Sequence, residues 1–287
     1  MVAPISPRSH ADLQPLAADQ LRRVLREGAY TGTTAGLADG CLQSNIVIVP
    51  QDHADAFEAF CDANPQPCPL NAVTPVGRPE FPDLGADIDL RRDVPFYHVF
   101  RRGVLSERVA DITHLWRPDF VGFALGCSFT FERALIAAGI PVRHIERGTV
   151  VPMYRTAVQT VPRGPFGGPV VMTMRPIAQE RLAEVIQICA RFPHAHGKPM
   201  HVGDPAAIGL RDLNAPDWGE PVPVAPGEVP VFWGCGVTPQ VALLDAALPL
   251  AITHAPGSML VTDLDETKVP RPVGEAAIPT ETQGFLT

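Results

Sequence analysis

The six cysteines (41, 61, 68, 127, 189, 235) form no Cys-x-x-Cys pair and no rhythm of a disulfide-stapled small domain, which points to a reducing compartment. A Gly-x-Gly-x-x-Gly fingerprint and a P-loop are both missing, so neither a dinucleotide nor a Walker-type nucleotide site is signalled. Lysine is scarce: only Lys198 and Lys268 among 23 basic residues, in a chain of formal charge −8. That balance argues against general nucleic-acid binding, which draws on clustered basic side chains. No run nears the roughly 18 apolar residues of a membrane span. The start, MVAPISPRSHADLQ, lacks the basic-then-apolar pattern of a signal peptide. The expectation is a soluble cytoplasmic protein without membrane or nucleic-acid partners; a homo-oligomer stays open.

What is present begins with 287 residues, 46% apolar and 19% charged, enough for one large or two modest domains with a real core. The most informative feature is an internal echo. GCSFTFERALIAAGIP, from Gly126 to Pro141, returns 108 positions later as GCGVTPQVALLDAALP, from Gly234 to Pro249. Glu132 is matched by Gln240. Each copy follows an apolar run (VGFAL, VPVFW), so each reads as strand, Gly-Cys corner, then helix. A cysteine there meets unpaired N–H groups and the positive end of a helix, a setting for a thiolate or a bound carboxylate or phosphate. The plainer reading is a small apolar residue packed in two ordinary strand–helix units.

Elsewhere the pattern predicts a helix over about 11–28 and a polar Gly/Thr stretch from Tyr30. A strand at Ile46–Val49 and a helix over about 52–63 follow, with strands near Tyr97–Val99 and Val121–Leu125. After Pro141 come two β-rich tracts (VVPMYRTAVQTV, GPVVMTMRP), a helix over about 177–190, and one further strand in LAITHAPGSMLVTD. Strands alternating with helices favour an α/β fold: a three-layer αβα main domain with a mostly parallel sheet (1–140 and 213–268), with a two-layer α+β domain inserted at 141–212. The Pro-rich end, 269–287, reads as a mobile tail. Sites on parallel sheets gather at strand C-terminal ends, where this sequence places Cys127, Ser128, Cys235 with Gly236 and Thr238, Glu146-Arg147, and Thr253-His254.

Other candidates carry two readings each. RFPHAHGKPMHVGDP holds His194, His196, His201 and Asp204; the imidazoles could take a divalent metal or face substrate as acid–base groups, or be solvated loop residues. Asp204 equally suits capping of the following turn. Arg147, Arg155 and Arg175 end apolar tracts and need anionic partners, either the protein's own acids or a substrate carboxylate. Glu132 and Tyr154 suit general acid–base or structural roles. Gln43 and Asn45 read as strand-edge polarity, and Asn64-Pro65 as a turn.

The blocks ALGCSFTFE, VPMYRT, RFPHAHGKPMHVGDPAAIGL, PDWG, GEVPVFWGCGVTPQ and ITHAPGSMLVTD, in this order from about Gln20 to Asp263, resemble the hydro-lyase family related to D-glutamate cyclase. The resemblance implies a large αβα domain with a smaller α/β one. It also implies conversion of D-glutamate to 5-oxo-D-proline and water, or a related step of 5-oxoproline metabolism. The family commonly has His where this chain has Ser258. For such a reaction Cys127, His201, His254 and Glu132 are the catalytic candidates. Ser128, Arg147, Tyr154, Arg155, Asp204, Cys235, Gly236 and Thr238 are the substrate-binding ones, with no cofactor required. A dehydratase of another hydroxy acid and a non-catalytic carboxylate-binding module are the alternatives.

Overall fold

A computed structural model describes residues 7–268; the 269–287 tail lies outside the described residues. Two short helices, α1 (His10–Leu13) and α2 (Ala18–Arg26), precede β1 (Cys41–Pro50), α3 (Gln51–Ala63) and β2 (Leu70–Val73). Next come β3 (Tyr97–Arg101), β4 (Val104–Val109), β5 (Phe120–Gly126), α4 (Phe129–Ala137) and α5 (Arg143–Glu146). The chain continues through β6 (Met153–Gln159), β7 (Pro169–Ala178), α6 (Leu182–Cys189) and β8 (His201–Val202). It ends with β9 (Glu228–Gly234), α7 (Val237–Ala246), β10 (Ala251–His254) and β11 (Leu260–Asp265).

These strands build two sheets. The first runs β2-β5-β1-β10-β3-β4, with β11 extending the β10 side of β1; the second runs β6-β7-β9-β8. Every pairing is antiparallel, so the expected parallel sheet and its three-layer αβα arrangement are corrected to a mixed α/β fold with antiparallel sheets. The reason lies in what the helices connect. Helix α3 does return the chain parallel to β1, but β5 fits between β1 and β2 and runs against both. Helix α4 leads out of the first sheet into the second. The strand Glu228–Gly234 is hydrogen-bonded into the second sheet, against β7 and β8.

Periodicity decides the cores. Along β1, Val47 and Val49 meet Phe57 and Phe60 of α3 and Ala242 and Leu243 of α7, while Ile46 and Ile48 meet Phe81, Leu84, Ile88 and Leu90 from the long loop after β2. In the second sheet Trp233 packs with Phe131, Leu135 and Val185 under α4 and α6; Phe232 faces the other way, with Tyr154, Met172, Met174 and Ile208. Arg22, fully buried on α2, ties that helix to the first sheet through Val261 O at 2.9 Å and the carboxylates of Asp263 and Asp87.

Three local expectations change. The N-terminal helix is broken between Leu13 and Ala18, where Pro15 cannot continue it. The polar stretch before Ile46 is not peripheral: β1 begins at Cys41, and Thr34, Gln43, Ser44 and Asn45 are buried. The last strand is two, β10 and β11, separated by the turn at Gly257.

Both corners form as expected, and both need glycine at the strand end. A Cβ on Gly126 would sit 1.8 Å from His194 O, and one on Gly234 2.8 Å from Gln66 O. Since the opposing atom is backbone, Gly126→Ala should cost about 3 kcal/mol through overpacking. Thermal melts should show Tm lower by roughly 6 to 12 °C.

Candidate functional site

The two corners have nearly one geometry. Ser128, before α4, has φ −63° and ψ −16°; Gly236, before α7, has φ −61° and ψ −6°. At the second, the Cys235 thiol accepts from Val237 N–H at 3.5 Å; at the first, the Phe129 N–H favours the ionised form of Cys127. The thiols are close enough that ionisation of Cys235 would raise Cys127.

Asn45 joins the corners. Its Nδ2 donates to Gly126 O at 2.6 Å, and a Cβ on Gly236 would lie 2.4 Å from the same nitrogen. Among the described residues none donates a hydrogen bond to its Oδ1. Two loops close over the arrangement: His194 lays its carbonyl on Gly126, and Gln66 on Gly234. They are tied by His196 Nδ1 donating to Gln66 O at 2.7 Å and Gln66 Nε2 donating to Lys198 O at 3.0 Å. Burial lowers His196 to about 4, so the ring is neutral with its proton on Nδ1. Within this packing Asn45 and Cys127 keep 7% exposure and Ser128 and Cys235 8%, while Leu125, Phe131 and Trp233 keep none.

Burial pushes Cys127 up to about 12 and Cys235 to about 11, outweighing the capping N–H groups and Arg175. Both are thiols at neutral pH, which removes the charge a nucleophilic Cys127 would need. Behind Ser128 lies a buried ionic cluster. Arg175 Nε donates to Glu132 Oε1 at 2.9 Å, and Nη2 also reaches that oxygen. Nη1 donates to Thr173 Oγ1 at 2.9 Å, and Nη2 to Ser128 Oγ at 3.2 Å. The guanidinium carbon lies 5.0 Å from the Phe131 ring centre and 5.2 Å from that of Trp233. His144 Nε2 is 3.3 Å from Glu132 Oε1, and its buried Nδ1 has no partner. Burial alone would raise Glu132, but Arg175 and His144 hold it at about 2. It is a fixed anion, unsuited to proton transfer near neutrality.

Other candidates fall elsewhere. Thr238 Oγ1 accepts from Val171 N at 3.0 Å and donates to Val171 O at 3.2 Å, fastening α7 to β7. His201 is paired with Phe232, so it belongs with Tyr154 to the face of the second sheet turned away from Trp233. His201 Nε2 is bonded to Asp204 O at 2.7 Å, and Asp204 caps the next turn through Ala206 N–H at 2.9 Å. Tyr154, pushed to about 12 by burial, donates to Leu213 O at 2.7 Å. Arg155 is exposed beside Asp217 and Trp218, and Arg147 is exposed at the end of α5. His254 Nδ1 lies 3.0 Å from Ile46 N and 3.3 Å from Ile46 O, next to Asn45; burial lowers it to about 4, so the ring is neutral. Ser258 is buried in the turn after β10. His194 Nε2 bonds Glu266 O at 2.8 Å, so His194, His196 and His201 serve three separate carbonyls. Among the described residues no three His, Cys, Asp or Glu side chains gather as metal ligands. No described helix is long and apolar enough to cross a membrane. Sequence reasoning took Asn45 for strand-edge polarity and did not single out His144; the signal for Asn45 was the polar run Gln43-Ser44-Asn45 opening a strand.

The sequence model of the D-glutamate cyclase family matches residues 121–263, from β5 through both corners to β11. A "Putative hydro-lyase" of Dinoroseobacter shibae is 53% identical over 253 residues, covering 88% of this chain and 84% of that one. One of Jannaschia sp. is 56% identical over 246 residues, covering 86% and 92%. One of Rhodopseudomonas palustris is 49% identical over 263 residues, covering 92% and 96%. The chain belongs to this family of hydro-lyase-named proteins, the D-glutamate cyclase family. A nitrogen repressor-like protein of Methanococcus jannaschii aligns at 11% identity with TM-score 0.38, covering 88% of this chain and 98% of that one, too slight a likeness to bear on fold or site.

The ionic cluster sets an acid limb of stability. Glu132 is depressed from 4.5 to about 2, so its contribution is full above pH 4.5 and disappears as pH falls toward 2. His196 and His254, depressed from 6.5 to about 4, lose theirs as pH falls from 6.5 toward 4. Glu132→Gln should cost about 3 to 5 kcal/mol at pH 7 by stranding Arg175. Urea melts should show that deficit shrinking between pH 4.5 and 2, where the native carboxyl takes up its proton.

Proposed function

We propose that the crevice between the Gly-Cys corners is the active site of a hydro-lyase acting on a small dicarboxylic amino acid, D-glutamate cyclase-like in its reaction. The observation that carries this is Asn45 seated between two helix N-termini, with polar atoms left free. The first corner offers N–H groups and a helix dipole to one carboxylate; at the second, where Thr238 N–H is bonded to Cys235 O at 2.9 Å and Pro239 has no N–H, the Gly236 N–H and the loosely held Val237 N–H remain for the other. A five-carbon substrate such as D-glutamate would place its α-carboxylate at one and its γ-carboxyl at the other. Ring closure needs no external reagent. The amine attacks the γ-carbon, the C–N bond forms, and one γ-oxygen leaves as water with two of the three ammonium protons. Holding both ends converts this to an oriented intramolecular step, and corner N–H groups stabilise the oxyanion as the carboxyl carbon becomes tetrahedral.

Purified protein incubated with D- and L-glutamate, D- and L-5-oxoproline and small hydroxy acids, followed by NMR, tests this. The expected result is interconversion of D-glutamate and 5-oxo-D-proline. Water loss from a hydroxy acid alone would make the protein a different dehydratase; saturable binding without turnover would make it a carboxylate-binding module. Gly236→Ala, which drives a methyl group into Asn45, should lower kcat/KM at least tenfold, corresponding to about 1.4 kcal/mol.

A further inference from the structure

The two corners share a backbone but not their chemistry. At the first, Ser128 Oγ accepts from Arg175 Nη2 at 3.2 Å, and among the described residues its own proton has no acceptor. The residue keeps 8% exposure, against 1% for Arg175. At the second, the same backbone position is Gly236, with no side chain to donate, and the Thr238 hydroxyl is spent on Val171. The Glu132 position becomes Gln240, so the ionic cluster has no counterpart there.

We propose that the first corner is the reacting one: the Ser128 hydroxyl donates to the carboxyl oxygen that becomes the oxyanion, and Arg175 is a positioning residue acting through Ser128. The second corner only grips the carboxylate that does not react. This rests on the cyclase-like reading of the crevice and assigns its two ends.

The physical case has three parts. First, Arg175 cannot swing. Its Nε and Nη2 are held by Glu132, its Nη1 by Thr173, and its face by Phe131 and Trp233. Second, a hydroxyl has one proton and two lone pairs. With the guanidinium bonded to one lone pair, the proton is directed away from Arg175, and donation to a cation-bonded oxygen is strengthened cooperatively. Third, such a donor is in place before charge develops, which is the condition under which it lowers a barrier. During the step the γ-carbonyl π pair moves onto its oxygen as the amine nitrogen bonds to carbon. Ser128 hydrogen-bonds that O⁻ and keeps its own proton. The pair then re-forms C=O as the other oxygen leaves as water. Independently of the helix ends, Ser128 Oγ and Asn45 Oδ1 each keep hydrogen-bonding capacity that no described residue takes up.

The test measures 5-oxoproline formation from D-glutamate, with binding of glutarate, an unreactive five-carbon dicarboxylate, followed by calorimetry. Ser128→Ala should lower kcat about 100-fold with KM and the glutarate Kd within about threefold. Ser128→Thr should recover most of the loss. Arg175→Lys should lower kcat at least tenfold alone, yet add less than threefold on the Ser128→Ala background, a non-additivity that a general loss of structure would not give. Should Arg175→Lys fail to fold, Thr173→Val, which frees one arm of the guanidinium, takes its place in the cycle. Wild-type turnover with Ser128→Ala retaining kcat within threefold overturns the assignment alone. An additive double variant overturns the role of Arg175. A wild-type protein that binds glutarate but never cyclises glutamate overturns the cyclase reading, and this assignment with it.

Discussion

Backbone packed on backbone, with no room for a side chain between, fixes the relation of the two corners. The carbonyl of His194 lies on Gly126 and that of Gln66 on Gly234, while Asn45 fills the space at Gly236. The loops supplying those carbonyls are themselves joined through His196 and Gln66. Side-chain contacts can adjust by changing rotamer, but carbonyls in mutual contact cannot. The helix N-termini are therefore held at a set separation before any ligand arrives, and donors of that kind need no reorganisation when charge appears.

The ionic cluster behind Ser128 works against stability in one respect. A buried Arg–Glu pair seldom outperforms a well-packed apolar pair of the same volume, because both ions lose their water. Here a single carboxylate oxygen, Glu132 Oε1, receives two guanidinium nitrogens and faces His144 as well. The pair is thus close to electrically balanced, and Arg175 is not a bare cation waiting for an anion. On the proposed reading, what a ligand meets is a set of oriented dipoles: the corner N–H groups, the Ser128 hydroxyl and the Asn45 amide. Dipoles discriminate by geometry as well as by charge, and suit a carboxyl group whose charge shifts from one oxygen to another during reaction.

Much of this was legible in the sequence, for reasons that also explain what was not. The Gly-Cys echo declared two strand–corner–helix units because glycine, a small thiol and a helical apolar pattern recur in register. The sequence cannot say which strands pair, and alternating strands and helices were read as parallel crossovers. That error propagated to the site. In a parallel sheet, only strand C-terminal ends meet at one edge, and that rule selects Cys127, Cys235 and His254. In an antiparallel sheet, the start of a neighbouring strand arrives at the same edge, and β1 brings Gln43, Ser44 and Asn45 to the end of β5. A polar run at a strand start looks like edge decoration until its partners are known. His201, Tyr154 and Arg155 are polar residues in matched blocks that lie on a sheet face or surface the corners do not share.

The cysteines then need an account other than reactivity, since burial keeps both protonated. A serine or aspartate capping a helix accepts strongly from the first N–H groups and satisfies them. A thiol is small and apolar enough for these buried positions, and a weak acceptor. It engages one N–H loosely, as the 3.5 Å contact from Val237 to Cys235 illustrates, and leaves the helix end electropositive. Strong capping would spend the donors an incoming carboxylate requires. Cysteine at both corners is therefore consistent with N-termini kept underfilled, and the hydroxyl stands one residue further on, at Ser128, where its proton can be turned toward a ligand instead of back into the helix.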